Sequence, residues 1–152
     1  MVPPDVSPLD AHLGYWLRFV SNHVSHAFAV KLTGRGVTVA EWVMLRGLYD
    51  RDGVAPSLLA DRLGMTRGAI SKLADRLAGK GLLIQTAAPD DRRCQTLALT
   101  PEGRALVPEL SALADRNDAE FFGHLDTADR ARIEEALKEI VRRMGLRSVP
   151  VE

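Results

Sequence analysis

The fold is decided by the stretch Leu59-Ala60-Asp61-Arg62-Leu63-Gly64-Met65-Thr66-Arg67-Gly68-Ala69-Ile70-Ser71-Lys72-Leu73. Its spacing predicts two short helices joined by a tight turn, because Gly64 can take the left-handed backbone conformation that such a turn needs. Leu63, Ile70 and Leu73 would fill the wedge between the helices, and the small Ala60 would let them cross closely. The stretch therefore predicts a helix-turn-helix.

The second helix of this motif presents a short polar and basic face. Its outward positions are Thr66, Arg67, Gly68, Ser71, Lys72 and Arg76. A helix that begins with small polar side chains and carries cations is suited to the major groove of DNA. Two short helices with a solvated basic face also occur in helical proteins that bind no DNA, so the motif alone leaves both interpretations open.

The segment that follows predicts a β-hairpin. Residues 82–84 and 96–99 have the composition of two strands, and the polar turn between them holds Arg92 and Arg93. A hairpin with an arginine-rich turn forms a wing that can lie along DNA, where its guanidinium groups reach phosphate or the minor groove. This arrangement favours the DNA-binding interpretation.

Further helices are predicted on both sides of this unit. Residues 9–32 carry apolar side chains on two faces, which is more than a lone surface helix needs and indicates that a second chain covers one of them. Thr38 and Glu41 form a capping box at the start of the next helix. Side chains that can cap a helix also precede each of three later helices, namely Thr66, Thr100 and Asp126.

The composition belongs to an ordinary globular protein, with 152 residues of which 46% are hydrophobic and 26% charged. The 20 basic and 20 acidic residues cancel, but residues 57–100 hold seven basic and four acidic residues, a local surplus of three positive charges. Cys94 is the single cysteine, so no intrachain disulfide can form. No signal peptide and no apolar run of about 18 residues is visible, so we expect a cytoplasmic protein with no membrane partner.

These elements, in this order, resemble the MarR family of winged helix-turn-helix transcriptional regulators. The resemblance is carried by residues 59–64, Asp75-Arg76-Leu77, Lys80-Gly81-Leu82-Leu83, Asp91-Arg92-Arg93 and Leu99-Thr100-Pro101-Glu102-Gly103. It implies a mainly α (α+β) fold with a helical dimerisation region. Residues 38–100 would form the DNA-binding domain, residues 9–33 and 101–145 the dimerisation region, and residues 1–8 and 146–152 flexible ends.

The resemblance also implies roles for individual residues. In a homodimer on a pseudo-palindromic operator of double-stranded DNA, the fourth helix would lie in the major groove and Arg93 would reach the minor groove. Asp91 would orient that arginine instead of touching DNA, because phosphate repels a carboxylate. Gln85 departs from the family pattern, since many members carry a basic residue at that position.

A small aromatic or phenolic acid is the effector that the resemblance implies, bound between the dimerisation region and the winged helix. The predicted lining consists of His12, Trp16, Phe19, His23, Trp42 and Arg46. Indole and imidazole rings offer apolar walls with a few polar groups, and Arg46 would pair with a carboxylate. The alternative is that these aromatic residues simply pack the core.

We therefore predict a DNA-binding repressor that a small ligand releases. Two alternatives stay open. One is a winged-helix protein-interaction module that does not bind DNA, and the other is a metal- or redox-responsive regulator that uses the first-helix histidines or Cys94. No nucleophile with a base, no paired carboxylates and no phosphate loop is visible, so we predict no enzymatic activity, no catalytic residue, no cofactor and no metal site.

Overall fold

The secondary structure follows the predicted order closely. A computed structural model describes residues 5–87, 89–90 and 93–147. A 3-10 turn, Leu9–Ala11, precedes the helices α1 (Leu13–Thr33), α2 (Val39–Tyr49), α3 (Pro56–Leu63) and α4 (Arg67–Gly79), the strands β1 (Leu83–Ala87) and β2 (Cys94–Leu99), and the helices α5 (Pro101–Phe122) and α6 (Thr127–Met144). The predicted fold class, a mainly α winged helix-turn-helix, is confirmed.

The helices begin where the sequence places their caps. The capping box of α2 is complete, because the Thr38 hydroxyl accepts from the Glu41 amide while the Glu41 carboxylate accepts from the Thr38 amide. Thr66, Thr100 and Asp126 likewise cap α4, α5 and α6. The start of α1 is a correction, since regular helix begins at Leu13 and not at residue 9. His12 has an extended backbone (φ −90°, ψ 125°), which separates α1 from the 3-10 turn.

The two strands pair antiparallel, and β2 also contacts the loop after α2. Leu83 lies opposite Leu99, and the register holds to Thr86 before an irregularity at Ala87. On its other side, Leu97 exchanges two backbone hydrogen bonds with Val54, of 2.9 and 2.8 Å. The hairpin is therefore attached through β2 to the loop between α2 and α3.

The core lies among α2, α3, α4, the base of the hairpin and the first half of α5, and the end of α1 adds Leu32 to it. Its fully buried side chains are mainly leucine: Leu45, Leu48, Leu59, Ile70, Leu77, Leu97, Val107 and Leu110. These residues come from α2, α3, α4, β2 and the first half of α5, so these elements pack as one unit.

Helix α6 contrasts with that core, since it contains no buried residue. Its apolar side chains form one exposed stripe made of Ile133, Leu137, Ile140, Val141 and Met144. The outer face of α1 is exposed as well, at Leu13, Leu17 and Val20. Among the described residues, no helix is both long enough and apolar enough to cross a membrane.

Candidate nucleic-acid interface

The turn between α3 and α4 has the geometry that the sequence predicts. Gly64 is left-handed (φ 65°, ψ 34°), and the amide of Met65 donates to the carbonyl of Ala60 at 3.0 Å. The Thr66 hydroxyl then accepts from the Ala69 amide at 3.1 Å, which starts α4 at once. A non-glycine residue at position 64 would be strained, so this turn fixes the angle between the two helices.

Helix α4 separates cleanly into a buried face and an exposed face. Ile70, Leu73, Ala74 and Leu77 are buried in the core. The residues predicted to contact DNA are all exposed and occupy the opposite face, namely Thr66, Arg67, Gly68, Ser71, Lys72 and Arg76. The structure thus brings together every predicted α4 residue on one rigid surface, whose contacts with DNA stay a prediction.

The cations of α3 and α4 differ from those of α6 in their partners. Within the described residues, Arg62, Arg67, Lys72 and Arg76 have neither an ion pair nor a side-chain hydrogen bond. On α6, by contrast, five cations each lie within 2.6–2.9 Å of a carboxylate: Arg130, Arg132, Lys138, Arg142 and Arg143. The positive charge of α3 and α4 is therefore available for an external anion, whereas that of α6 is neutralised locally.

The wing is only partly described. Arg93 is exposed and directly precedes β2. The other two predicted wing residues, Asp91 and Arg92, lie outside the described residues. Gln85, which departs from the family pattern, donates from Nε2 to Asp75 Oδ1 at 2.9 Å and so joins β1 to α4.

The carboxyl end of α4 is held by a contact that the sequence analysis missed. The Lys80 ammonium donates to both carboxylate oxygens of Glu41, at 3.0 and 2.8 Å, and to the carbonyl of Gly36 at 2.8 Å. Glu41 is fully buried. Burial alone raises the pKa of Glu41, but the hydrogen bonds from Lys80 and Thr38 outweigh it and hold that pKa below 4.5. The carboxylate is therefore ionised at neutral pH and needs its cation.

The residues predicted to line an effector pocket fall into two groups. On α1, Phe19 lies 6.5 Å from Trp16 and stacks on His23 at 5.0 Å between ring centroids, and both Trp16 and Phe19 are 49% exposed. The Trp16 indole donates to the Asp10 carbonyl, and Nδ1 of the exposed His12 lies 3.2 Å from the Leu9 carbonyl. These aromatic side chains form one exposed strip on α1.

The α2 residues of that predicted pocket have partners of their own. The Trp42 ring packs edge-on against Phe28, with 6.2 Å between the ring centroids. The Arg46 guanidinium forms an ion pair with the Asp50 carboxylate, with 2.8 Å between nitrogen and oxygen. The guanidinium of Arg46, which would bind the carboxylate of a ligand, is thus already paired with Asp50, the residue that follows α2. Within the described part of the chain, no ring contact joins the α1 strip to Trp42.

An open apolar groove lies between α1, α5 and α6, with a volume of about 610 Å³. Its walls are Leu17, Val20, Val24, Phe122, Ile133 and Leu137, and an ion pair between Arg130 and Asp118 (2.8 Å) stands at its margin. Sequence reasoning found the apolar faces of these helices but not the groove, because its walls come from three helices that are far apart in the chain.

A metal-responsive regulator would use the histidines of α1 as metal ligands. Within residues 5–87, 89–90 and 93–147, no three His, Cys, Asp or Glu side chains are grouped as metal ligands. His23, one of the predicted candidates, instead stacks on Phe19.

Comparison with known sequences identifies related regulators. A sequence model described as MarR family matches residues 35–93. A protein of Thauera aromatica, named a putative transcriptional regulatory protein for the hcr operon, is 30% identical over 131 residues, which cover 86% of this chain and 79% of that protein.

Two solved structures are similar over almost the whole chain. CouR from Rhodococcus jostii RHA1, bound to p-coumaroyl-CoA, is 26% identical with a TM-score of 0.77, and the match covers 89% of this chain and 95% of that one. BpsR of Bordetella bronchiseptica, whose DNA binding is regulated by 6-hydroxynicotinic acid, is also 26% identical, with a TM-score of 0.78 and coverage of 90% and 97%.

Proposed function

The chain belongs to the MarR family of transcriptional regulators, and from that premise we propose that it is a homodimeric repressor released from its operator by a small aromatic acid. Residues 38–100 form its DNA-binding domain, and residues 9–33 and 101–145 form its dimerisation region. The two α4 helices of the dimer enter successive major grooves of a pseudo-palindromic operator, about one helical turn apart.

One observation carries the DNA-binding part of this proposal. The exposed face of α4 holds Arg67, Lys72 and Arg76 with no carboxylate paired to them among the described residues. The opposite face is anchored in the core by Ile70 and Leu77, which are fully buried. A rigid helix with unpaired cations can bind a polyanion such as DNA. The small residues near its start leave room for the base edges. At the wing, Arg93 and Arg92 contact phosphate or the minor groove, with Asp91 orienting Arg93.

Dimerisation is supported by the exposed apolar surface of α1 and α6. Leu137 and Ile133 are 42% and 49% exposed, and the α6 stripe to which they belong borders the groove between α1, α5 and α6. A contiguous apolar surface of this kind is unfavourable in water and marks an interface. A second copy supplies the complementary surface, since the same stripe on its α6 packs into the groove under two-fold symmetry.

Replacing Arg67 with alanine should relax the sequence preference of the protein. Arg67 is the first residue of α4, where side chains reach base edges, so its loss should reduce discrimination at the base it reads by about 1–3 kcal/mol. The measurement is selection of bound duplexes from a random library, followed by titration of the enriched sequence and its single-base variants.

Arg132→Ala is the matched control for that experiment. It also removes an exposed arginine, but one that is paired with Asp129 on α6. The control should select the same sequence as the unaltered protein. If the unaltered protein enriches no sequence at all, the chain is instead a winged-helix module that binds protein.

The effector is proposed from the relatives together with the aromatic strip on α1. CouR was solved with p-coumaroyl-CoA, and 6-hydroxynicotinic acid regulates the DNA binding of BpsR. Both of these ligands carry an aromatic ring with an acyl or carboxyl group. The residues proposed here for the ligand are His12, Trp16, Phe19, His23, Trp42 and Arg46. For Arg46 to bind a carboxylate it must leave Asp50, an exchange between exposed groups that is nearly neutral in energy.

Adding an aromatic acid should quench tryptophan fluorescence and release DNA over the same concentration range. Trp16 is half exposed beside Phe19, so a ring that stacks there changes the environment of its indole. Salicylate and 6-hydroxynicotinic acid are the probes, and Trp16→Ala should lose both responses. A ligand releases DNA only to the extent that it prefers the conformation that does not bind DNA. Quenching without release would therefore leave a pocket that is not a switch.

A further inference from the structure

The carboxyl end of α4 is attached to its surroundings on two sides. On the α5 side, the Thr100 amide donates to the Leu82 carbonyl at 3.2 Å, and the Thr100 hydroxyl donates to the Gly81 carbonyl at 2.7 Å. On the other side, Lys80 reaches the turn between α1 and α2 through Gly36 and Glu41. The first attachment includes the backbone, whereas the second passes through a single side chain.

Lys80 is placed to transmit the orientation of one helix to another. Its backbone caps α4, since its amide donates to the carbonyl of Arg76 at 3.1 Å. Its ammonium meets the carbonyl of Gly36, three residues after α1 ends, and the carboxylate of Glu41 in the first turn of α2. Because Glu41 is fully buried and ionised, removing Lys80 would leave its carboxylate with only the Thr38 amide as a partner and with no cation.

We infer that Lys80 is a positioning residue that fixes the direction of α4 relative to α1, and thereby sets the spacing of the two half-sites that the dimer accepts. The inference rests on the proposed function, since the spacing exists only in a dimer that binds DNA. In that dimer α1 lies at the interface between the two copies, and α4 lies in the major groove of the DNA. A change in the angle between them moves the two α4 helices apart or together.

The test compares the spacing of half-sites selected from a random duplex library. The variant is the double substitution Glu41→Gln with Lys80→Met, which removes the contact without leaving a buried charge unpaired. Glu41→Gln alone is a second, milder variant, because its amide oxygen can still accept from the Thr38 amide. Lys31→Met is the matched control, since Lys31 bridges Asn117 and Glu120 at 2.9 and 2.8 Å and joins only α1 to α5.

The unaltered protein and Lys31→Met should each enrich one half-site spacing. The double variant should enrich the same half-site sequence at several neighbouring spacings, and Glu41→Gln should show an intermediate spread. Affinity for the originally spaced operator should fall about tenfold in the double variant, because the second half-site is engaged at a lower effective concentration. Affinity for a single half-site should stay unchanged, whereas a general loss of stability would lower that affinity as well.

The inference would be overturned if the double variant selects a range of spacings as narrow as that of the unaltered protein. The proposed function would then stay intact. If the unaltered protein selects no paired half-sites, the proposed function fails and the inference fails with it. Thermal unfolding of each variant, measured at one protein concentration, shows that the selected molecules are folded.

Discussion

Replacing Leu137 with glutamate is expected to convert the proposed dimer into monomers and to remove operator binding. Leu137 lies in the middle of the exposed α6 stripe and lines the groove between α1, α5 and α6. Burying one leucine side chain contributes about 1.5–3 kcal/mol, and a two-fold interface contains the residue twice. The interface would also remove the new carboxylate from water, and no partner there would compensate for the lost hydration. Together these effects should raise the dimer dissociation constant at least about 100-fold.

Sedimentation of the variant at micromolar concentration, with an operator titration alongside it, measures both effects. Ala128→Glu is the matched control, because it adds the same charge to α6 nine residues earlier, about two and a half turns away, on the opposite exposed face. The control should stay dimeric. A Leu137→Glu protein that sediments as a dimer would mean that the α6 stripe is not the interface.

Such a monomer should still fold, and this separates assembly from stability. Helix α6 contributes no residue to the core, which extends from the end of α1 to the first half of α5. The far-ultraviolet circular dichroism of Leu137→Glu should therefore match that of the unaltered protein. Loss of DNA binding in a folded monomer would show that two copies are required to hold the operator.

The boundaries of the elements could be predicted because their signals are local. A hydroxyl or carboxylate cap and the residue it serves are three positions apart, as at Thr38 and Glu41 or at Thr66 and Ala69. The faces of α4 follow from helical spacing in the same way. The start of α1 was misplaced because it depends on the extended backbone of His12, for which the sequence carries no strong signal. The strand bounds were misplaced as well, since both strands extend farther toward the turn than the predicted 82–84 and 96–99.

The parts that could not be predicted depend on residues far apart in the chain. Glu41 was recognised as a capping residue, but its second partner, Lys80, is 39 positions later. The proposed effector residues show the same limit. Helical spacing identifies the face on which Trp42 lies, whereas only the packed structure shows that Phe28 occupies that face. Spacing predicts a face, and packing decides what covers it.

Replacing Gly103 with alanine is expected to destabilise the fold more than any single truncation on the surface. Gly103 is a buried residue in the first turn of α5, where the helix packs directly on the backbone at Leu82. A Cβ atom at this position would overlap the carbonyl oxygen of Leu82. That carbonyl accepts a hydrogen bond from the Thr100 amide, so it cannot turn away without losing its partner. Overpacking against side chains costs about 1–3 kcal/mol, and a fixed backbone group should place the effect at or above the upper limit.

Thermal unfolding at one fixed protein concentration measures the effect, since the midpoint of a dimer depends on concentration. For a chain of this length, a loss of about 3 kcal/mol should lower the midpoint by roughly 6–12 °C. Gly79→Ala is the control, because a Cβ there meets nothing within 4 Å and its helical position favours alanine by about 0.5–1 kcal/mol. The two substitutions should therefore shift the midpoint in opposite directions. Equal shifts would mean that α5 does not pack as closely on Leu82 in solution, and that the α5 attachment of α4 is looser than its geometry indicates.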